Sequence, residues 1–268
     1  MPDSEVLSKR IALGIQYDGS LWRGWQTQPD GHTVQDRVQA AIKEFTLADI
    51  KVMCAGRTDT GVHALEQVVH LDTVLEREPV SWVRGINSFL HPSIAVRWAC
   101  EVPHEFHARS SAVARCYQYV LYNNPVRSPL LRNRVGWVFR PLALEPMQEA
   151  ARHLLGEHDF SAFRASECQA LTPVKMMHDI SIKQRGDLFI FKLRANAFLH
   201  HMVRNIIGSL IYVGKGDYPP QWLDQVLQGR DRKLAAPTFM PDGLYLEKVI
   251  YDGKWGLPQE KAEHSLVW

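Results

Sequence analysis

Residues 51–72 read KVMCAGRTDTGVHALEQVVHLD and place a polar, glycine-containing segment between two apolar ones. The flanks, residues 51–55 and 66–73, have the composition of buried strands. The ten residues from Ala55 to Ala64 include two glycines, an arginine, an aspartate and a histidine, which suit neither a core strand nor a helix interior. The pattern predicts two strands joined by a polar loop.

The segments on either side extend this pair to the order β-α-β-β-α-β. Residues 10–19 alternate as a strand, and residues 33–45 carry apolar side chains at helical spacing. Thr33 with Asp36 resembles a capping box at the start of that helix. Pro79 begins a second helical pattern, which a strand over Ile94–Val102 follows. This is the order of a ferredoxin-like unit.

The second half of the chain repeats a similar order. Its pattern predicts strands over residues 116–123, 176–185, 188–195 and 243–252, and helices over residues 145–156, 198–214 and 220–229, with Gly156 as a helix C-cap. We therefore predict an α+β fold of two tandem ferredoxin-like (RRM-like) units with antiparallel-rich sheets and a central cleft. The predicted domains are residues 1–105, which carry the polar loop, and residues 106–268, which carry Tyr117 and Arg204.

The distribution of charge is more informative than its sum. The net charge of the chain is only +2, but the stretch from Phe106 to Arg140 contains six arginines and no acid. Such a stretch creates a positive field that attracts a polyanion. The alternative is a solvated face whose positive charge is neutralised by acids that come from elsewhere in the chain.

Other features narrow the class of protein. Cys54, Cys100, Cys116 and Cys168 fit no zinc spacing and indicate reduced thiols. No apolar run reaches the length of a membrane span, and the first ten residues have no apolar core of a secretory signal. We therefore expect a cytoplasmic protein. Nothing in the sequence matches a dinucleotide fingerprint, a P-loop or a nucleophile elbow.

Asp59 in the polar loop has two interpretations. An aspartate beside glycine commonly makes local hydrogen bonds in a turn. Alternatively, Asp59 is a nucleophile or base presented by the loop, with Arg57 either favouring the ionised carboxylate or contacting a phosphate. His63 could be a third polar group of a site, although a single histidine is more often structural.

Arg204 lies in the predicted helix of residues 198–214 and falls outside its apolar stripe. An arginine buried in such a helix would need an anionic partner, whereas a solvated arginine would not. We expect it to share a helix side with His200 and His201. These two histidines suggest a metal, but no acid or cysteine follows at ligand spacing, and we predict no metal site.

Aromatic residues offer further candidates. Tyr117 and Tyr119 point to the same face of a predicted strand, where they either pack in the core or form a platform that stacks on a base. Trp22 and Trp25 lie in the glycine-rich segment YDGSLWRGWQTQP. Their two interpretations are a hydrophobic lid and a contact with nucleic acid. The pattern does not decide between these alternatives.

Several of these segments together resemble the tRNA pseudouridine synthase A family. The loop AGRTDTGVHA resembles the signature loop of that family. YDGSLWRGWQ, TVQDRVQAAI, FHARSSAVARCYQY, EHDFSAFR, ANAFLHHMVRNIIGSL and GLYLEKVIY resemble further family blocks, in the family's order, from about residue 11 to residue 251. Thr60 departs from the small alanine of the family pattern.

The resemblance implies isomerisation of uridine to pseudouridine at positions 38, 39 and 40 of the anticodon stem-loop of tRNA. It implies a homodimer that needs no metal or organic cofactor. Asp59 matches the catalytic aspartate, Tyr117 the active-site tyrosine and Arg204 the arginine that pairs with the aspartate. Arg57 matches an arginine that displaces the target base, and Leu244 an apolar residue at the uracil. We add two arginines of the acid-free stretch as RNA-binding candidates, Arg109 and Arg115.

Two other functions compete with an RNA-isomerising enzyme. A non-catalytic RNA-binding module on the same scaffold would need no carboxylate at Asp59, because a carboxylate repels phosphate. An unrelated small-molecule enzyme would not need the acid-free arginine stretch. Asp59 and the arginines together favour the RNA-isomerising enzyme.

Overall fold

The computed structural model describes residues 8–258, which form ten β-strands and five α-helices. The described chain divides into two units, residues 8–113 with 246–258 and residues 114–245. The last strand is divided between the units, whereas the predicted division after residue 105 places it whole in the second. Both units mix helices with mainly antiparallel strand pairs, which confirms the α+β class.

The first unit follows the order β-α-β-β-α-β. Its elements are β1 (Lys9–Tyr17), α1 (Val34–Thr46), β2 (Met53–Cys54), β3 (His63–Thr73), α2 (Pro79–Asn87) and β4 (Ile94–Val102), and the last strand of the chain, β10 (Leu244–Tyr251), joins them. The strand order is β4-β1-β3-β10, and β2 also pairs with β3. β1 is antiparallel to both neighbours. Because β3 begins at His63, the polar loop between β2 and β3 comprises residues 55–62.

The helices of the first unit begin where the sequence predicts. The Thr33 side chain accepts a hydrogen bond from the backbone N–H of Asp36, which confirms the predicted cap of α1. Pro79 occupies the first turn of α2, where its missing N–H costs nothing. α1 buries Val34, Val38 and Ile42 against the unit's core. Within residues 8–258, no helix combines the length and apolar composition needed to cross a membrane.

The second unit contains a sheet in the order β5-β9-β8-β7, with β6 parallel to β5. Its elements are β5 (Ala112–Asn123), whose first two residues belong to the first unit, β6 (Gly136–Val138), α3 (Leu144–Arg152), β7 (Gly156–Asp159), β8 (Val174–Arg185), β9 (Leu188–Ala195), α4 (Met202–Gly214), α5 (Trp222–Gly229) and the first residues of β10. The predicted hairpin turn at Gly186 and Asp187 joins β8 to β9.

Helix ends in the second unit differ from the prediction. α4 begins at Met202 because His201 adopts a left-handed backbone with φ 61°, which a helix cannot include. His200 and His201 therefore precede the helix that carries Arg204, rather than sharing a side of it. α3 ends at Arg152, and Gly156, with φ 97°, begins the short strand β7 instead of capping α3.

A polar network fixes the segment that follows β4. Arg10 makes a two-fold ion pair with Asp72, with N–O distances of 2.7 and 2.8 Å, and also donates to the carbonyl of Phe106 at 2.8 Å. The buried His70 accepts a hydrogen bond at Nδ1 from the N–H of Ala108, at 3.1 Å. These contacts position the backbone immediately before Arg109.

We expect His70 to make stability depend on pH. Burial, followed by the positive charges of Arg10 and His107, lowers the pKa of His70 from 6.5 to about 4, although Asp72 opposes this. Between these values the unfolded chain binds more protons than the folded one, so stability falls as the pH falls through this window. The loss between pH 7 and pH 5 amounts to about 2 kcal/mol.

Urea unfolding of the wild type and of His70→Asn at both pH values measures this difference. The amide oxygen of Asn can accept the Ala108 hydrogen bond without titrating, so the variant should lose most of the pH dependence. His178→Asn is the control, because His178 is exposed on β8. An unchanged pH dependence in His70→Asn would show that His70 is not responsible.

Candidate active site

The loop of residues 55–62 is anchored to β3 at its start. Ala55 donates its N–H to the carbonyl of Val68 at 2.8 Å, and the buried side chain of Gln67 donates to the carbonyl of Gly56. Within the loop, the N–H of Val62 bonds the carbonyl of Asp59 at 3.1 Å. β3 therefore supports the strand before the loop, and the loop closes as a turn at Asp59.

The segment of residues 18–25 packs directly on this loop. Trp25 donates its N–H to the carbonyl of Thr58 at 3.0 Å. Gly24 has φ 80°, and a Cβ there would lie 2.7 Å from the Thr58 carbonyl oxygen. A Cβ at Gly19 would lie 1.9 Å from the carbonyl oxygen of Val62. Glycine at both positions therefore permits an approach that other residues would prevent.

Side chains strengthen the same contact. The hydroxyl groups of Tyr17 and Thr58, both buried, form a hydrogen bond of 2.8 Å. Trp22 and Trp25 are 4% and 1% exposed, and the indole N–H of Trp22 donates to the hydroxyl of Ser93. The two tryptophans are therefore core residues that support the loop, which answers the question that the sequence left open.

Asp59 lies between a buried and an exposed neighbour. Thr58 is buried, Asp59 is half-buried, and Thr60 and Arg57 are exposed. The backbone on the N-terminal side of Asp59 is fixed through Thr58, while Asp59 as a residue keeps partial access to solvent. This combination of a fixed backbone and an accessible side chain suits a group that must attack a substrate in a defined direction.

Arg57 and Arg109 lie in the same region of the first unit. Burial raises the pKa of the Cys54 thiol to about 11, and the guanidinium groups of Arg57 and Arg109 oppose that rise. Both arginines are exposed and within electrostatic range of Cys54, at the end of β2. The structure thus provides two cations in the strand-end region from which the Asp59 loop starts.

His63 has a structural position. It is 2% exposed, and its Nδ1 accepts a hydrogen bond from the N–H of Gly19 at 3.0 Å. The same atom lies 3.2 Å from a carboxylate oxygen of Asp18. These contacts connect the start of β3 to the segment of residues 18–25, so they support the more common interpretation of a single histidine.

Tyr117 is the half-buried member of a tyrosine pair on β5. Tyr119, on the same face, is fully buried and donates its hydroxyl to the carbonyl of Met240 at 3.0 Å. The ring of Tyr117 packs edge-on against Phe198, with ring centroids 5.0 Å apart. Tyr119 therefore packs in the core, as one of the two interpretations predicts, and Tyr117 lies at the margin of that core.

Arg204 lies in the first turn of α4 and is half-buried. Its Nε donates to the carbonyl of Phe239 at 2.8 Å, and the N–H of Phe239 bonds the carbonyl of Arg204 at 3.3 Å. A Cβ at Gly208 would lie 2.5 Å from the carbonyl oxygen of Pro237, so helix and segment pack without intervening side chains. These contacts fix the guanidinium group in one orientation.

The segment of residues 237–243 was not predicted to support the site. Burial raises the pKa of Tyr119 well above its usual value, Asp242 adds to the rise, and Arg204 opposes it. Arg204, Tyr119 and Asp242 are therefore electrostatic neighbours in the second unit. The only indication in the sequence is a pair of prolines and a glycine before the last strand, PTFMPDG, which marks a turn and no function.

Leu244 and Arg115 occupy fixed positions in the second unit. Leu244 is 5% exposed and follows Gly243, whose carbonyl accepts a hydrogen bond from the N–H of Val120 at 2.9 Å. A Cβ at Gly243 would lie 2.2 Å from the Val120 carbonyl oxygen. Arg115 is half-buried and donates to the carbonyl of Asn196 at 2.9 Å. Leu244 thus lies beside β5, and Arg115 lies within it.

Two neighbouring histidines and four cysteines are the remaining side chains that the sequence singles out. The rings of His200 and His201 are 4.0 Å apart in the second unit. The four cysteines, all in the described part of the chain, form no disulfide.

Comparison with known proteins identifies the family of this chain. The family model described as tRNA pseudouridine synthase matches residues 14–109 and 150–252. The chain therefore belongs to the tRNA pseudouridine synthase family, whose members are isomerases that act on tRNA.

Individual relatives are similar over nearly their whole length. The chain is 66% identical over 265 residues to tRNA pseudouridine synthase A of Janthinobacterium sp. (strain Marseille), covering 97% of this chain and 98% of the relative. It is 64% identical over 265 residues to tRNA pseudouridine synthase A of Herminiimonas arsenicoxydans, covering 97% of this chain and 96% of the relative.

A comparison with solved structures gives a more distant match. A chain in the crystal structure of the archaeal box H/ACA sRNP Nop10-Cbf5 complex matches 84% of this chain and 60% of that chain, with 12% identity and a TM-score of 0.34.

Proposed function

We propose that the protein isomerises uridine to pseudouridine at positions 38, 39 and 40 in the anticodon stem-loop of tRNA, with Asp59 as the nucleophile. The observation that carries this proposal is the Asp59 loop, whose backbone is fixed through Thr58, Gly24 and Gly19 while Asp59 itself is half-buried. A module that only binds RNA has no use for a carboxylate in this position, because it repels phosphate.

The reaction requires one bond to break and another to form. The C1′–N1 bond of the target uridine breaks, the uracil turns, and C5 bonds to C1′. C5 then loses its proton and N1 carries one, so the atoms balance without a redox partner. Attack by Asp59, at ribose C1′ or at uracil C6, requires an ionised carboxylate. The covalent bond that Asp59 forms breaks again, either when C5 displaces the carboxylate from C1′ or when C5 loses its proton and C6 releases the carboxylate, so Asp59 is regenerated. A nearby cation offsets the cost of desolvating that carboxylate, which is the proposed role of Arg204.

The remaining residues are assigned to flipping and proton transfer. The target base lies in a stem-loop and must leave its stack, at a cost of about a few kcal/mol. We assign Arg57 to displacing the base, Leu244 to packing at the uracil, and Tyr117 to stacking on the ring and removing the C5 proton. Arg109 and Arg115 are assigned to RNA backbone contacts. The proposal requires Asp59 of the first unit and Tyr117 of the second to act on the same uridine.

The proposal extends to architecture, assembly and location. We propose that the units are tandem ferredoxin-like folds with a central cleft for the substrate; the β4-β1-β3 order with β2 on β3 supports this for the first unit. The proposed homodimer and the absence of a cofactor follow from the family resemblance. The proposed location is the cytoplasm, where tRNA serves translation.

Tritium release tests the reaction and its position. The protein is incubated with tRNAs that carry tritium at C5 of uridine at position 38, 39 or 40, or only at positions outside the anticodon arm. We expect release from the first group, matched by an equal yield of pseudouridine, and none from the second. Absence of release from every anticodon-arm substrate would overturn the proposal, and release only from other positions would overturn the assignment to positions 38 to 40.

A further inference from the structure

Three arginines of the acid-free stretch project from a single loop between β5 and β6. We call residues 125–134, with the sequence PVRSPLLRNR, the arginine loop. Arg127, Arg132 and Arg134 are all exposed. Arg140 of the same stretch lies outside this loop and pairs with Asp217 at 3.1 Å.

Contacts at its N-terminal end give the arginine loop a defined start. The side chain of Asn124 donates to Asp187 at 2.9 Å and accepts from the N–H of Val126 at 2.9 Å. The carbonyl of Asn124 accepts a hydrogen bond from the indole N–H of Trp137 at 2.8 Å. The hairpin turn after β8 and the strand β6 therefore both support the first residues of the loop.

The C-terminal end is also fixed. Residues Pro129–Leu131 form a 3₁₀ turn, and the N–H of Arg134 bonds the carbonyl of Leu131 at 3.1 Å. The carbonyl of Arg134 accepts a hydrogen bond from the hydroxyl of Tyr245 at 2.6 Å. Tyr245 directly follows Leu244, so the end of the arginine loop is bonded to a neighbour of a proposed site residue.

A fixed loop that presents three guanidinium groups has the chemistry of a phosphate-binding element. Guanidinium groups bind phosphate oxygens through paired N–H donors, and a preorganised loop loses little conformational entropy when it binds. We propose that the arginine loop binds backbone phosphates of the tRNA. This inference rests on the proposed function for its substrate and adds a binding element to it.

Two exposed apolar side chains in the same loop suggest a different binding partner, another protein. Val126 and Leu130 are 71% and 91% exposed, and exposed apolar groups can mark a contact with another protein. The three guanidinium groups favour RNA, because a protein partner would have to supply acids to match them. Contact with a protein, including a second copy of the chain, is therefore an outcome that the experiment must detect.

Salt dependence of tRNA binding distinguishes these cases. The variant Arg127→Gln with Arg132→Gln and Arg134→Gln is compared with wild type by measuring Kd for tRNA over a range of salt concentrations. Each lost phosphate contact reduces the slope of log Kd against log salt by about 0.7 to 0.9. We expect a slope reduced by about 2 in total and Kd raised about ten-fold or more at low salt, with kcat at saturating tRNA close to wild type.

Two further variants control for charge and folding. Arg152→Gln with Lys183→Gln and Lys233→Gln removes the same charge from exposed positions of the second unit, and should leave the slope near that of wild type. Replacing the three loop arginines by lysine keeps the charge, and should retain most of the slope. If the glutamine variant fails to fold, the single substitution Arg132→Gln is expected to lower the slope by about 0.7 to 0.9.

Several results would overturn the inference. The loop does not bind phosphate if the glutamine variant, once shown to be folded, has the wild-type slope or changes it no more than the control variant does. A change in oligomeric mass with an unchanged slope would assign the loop to a protein contact. Wild-type tritium release is measured on the same tRNA, so an inactive wild type with an arginine-dependent slope would refute the proposed reaction and leave the loop assignment standing.

Discussion

Replacing Asp59 by asparagine is expected to abolish tritium release from C5 of the target uridine, lowering kcat by about 10⁴-fold or more. Asparagine has nearly the size of aspartate but no anionic oxygen, so it cannot form the proposed covalent bond. The Thr58 contacts to Tyr17 and Trp25 do not involve the carboxyl group. The loop should therefore keep its conformation, and the loss should lie in chemistry.

Measurements of binding and of a neighbouring variant complete this test. The Kd of Asp59→Asn for tRNA should stay within a few-fold of wild type, because the change removes a carboxylate that repels phosphate. Thr60→Ala is the matched control, since Thr60 is the exposed neighbour of Asp59, and it should keep nearly full turnover. Full tritium release by Asp59→Asn would refute the nucleophilic role.

Replacing Arg204 by alanine is expected to lower kcat by about 10²- to 10³-fold, the effect of removing one preorganised charged donor from a site. The guanidinium group is oriented by its hydrogen bond to the Phe239 carbonyl. Its proposed role is to stabilise the ionised carboxylate of Asp59 by its positive charge. Because this role concerns the reacting group, tRNA binding should weaken much less than turnover. Single-turnover rates and Kd values on the same tRNA give the two numbers.

A second arginine separates an electrostatic role from a structural one. Arg232 donates to Asn205 on α4 and to Thr238, both at 3.1 Å, so it fixes nearly the same segment as Arg204 does. Arg232→Ala should lower thermal stability and leave single-turnover rates within about ten-fold of wild type. If Arg232→Ala and Arg204→Ala lower kcat equally, the contribution of Arg204 is only to hold residues 237–239 in place.

The sequence correctly predicts helix starts that depend on interactions between residues close together in the chain. The cap at Thr33 and the proline at the start of α2 act within one helical turn, and the structure contains both. The predicted start of α4 at residue 198 was wrong. The apolar spacing continues back through Leu199 and Phe198, but the left-handed backbone of His201 makes the helix begin at Met202. Apolar periodicity reports burial, and buried residues outside a helix can imitate it.

The candidate site shows the same limit more strongly. Asp59 and Arg57 could be proposed as candidates because they lie in one short loop of unusual composition. The contacts that hold that loop in place could not be predicted from the sequence, because the hydrogen bond between Tyr17 and Thr58 joins residues 41 positions apart. The same holds for the bond from Arg204 to Phe239, which spans 35 positions. Contacts of this kind depend on the tertiary fold, which no local pattern encodes.

The close approach of Gly19 and Gly24 to the Asp59 loop restricts how this enzyme can be engineered. A side chain at either glycine would collide with backbone atoms of Thr58 or Val62, and backbone cannot move aside as a flexible side chain can. A library that aims at new substrate preference should therefore leave both glycines unchanged. Diversity belongs at the exposed Thr60, which has no assigned role, and not at Arg57, which is assigned to displacing the base.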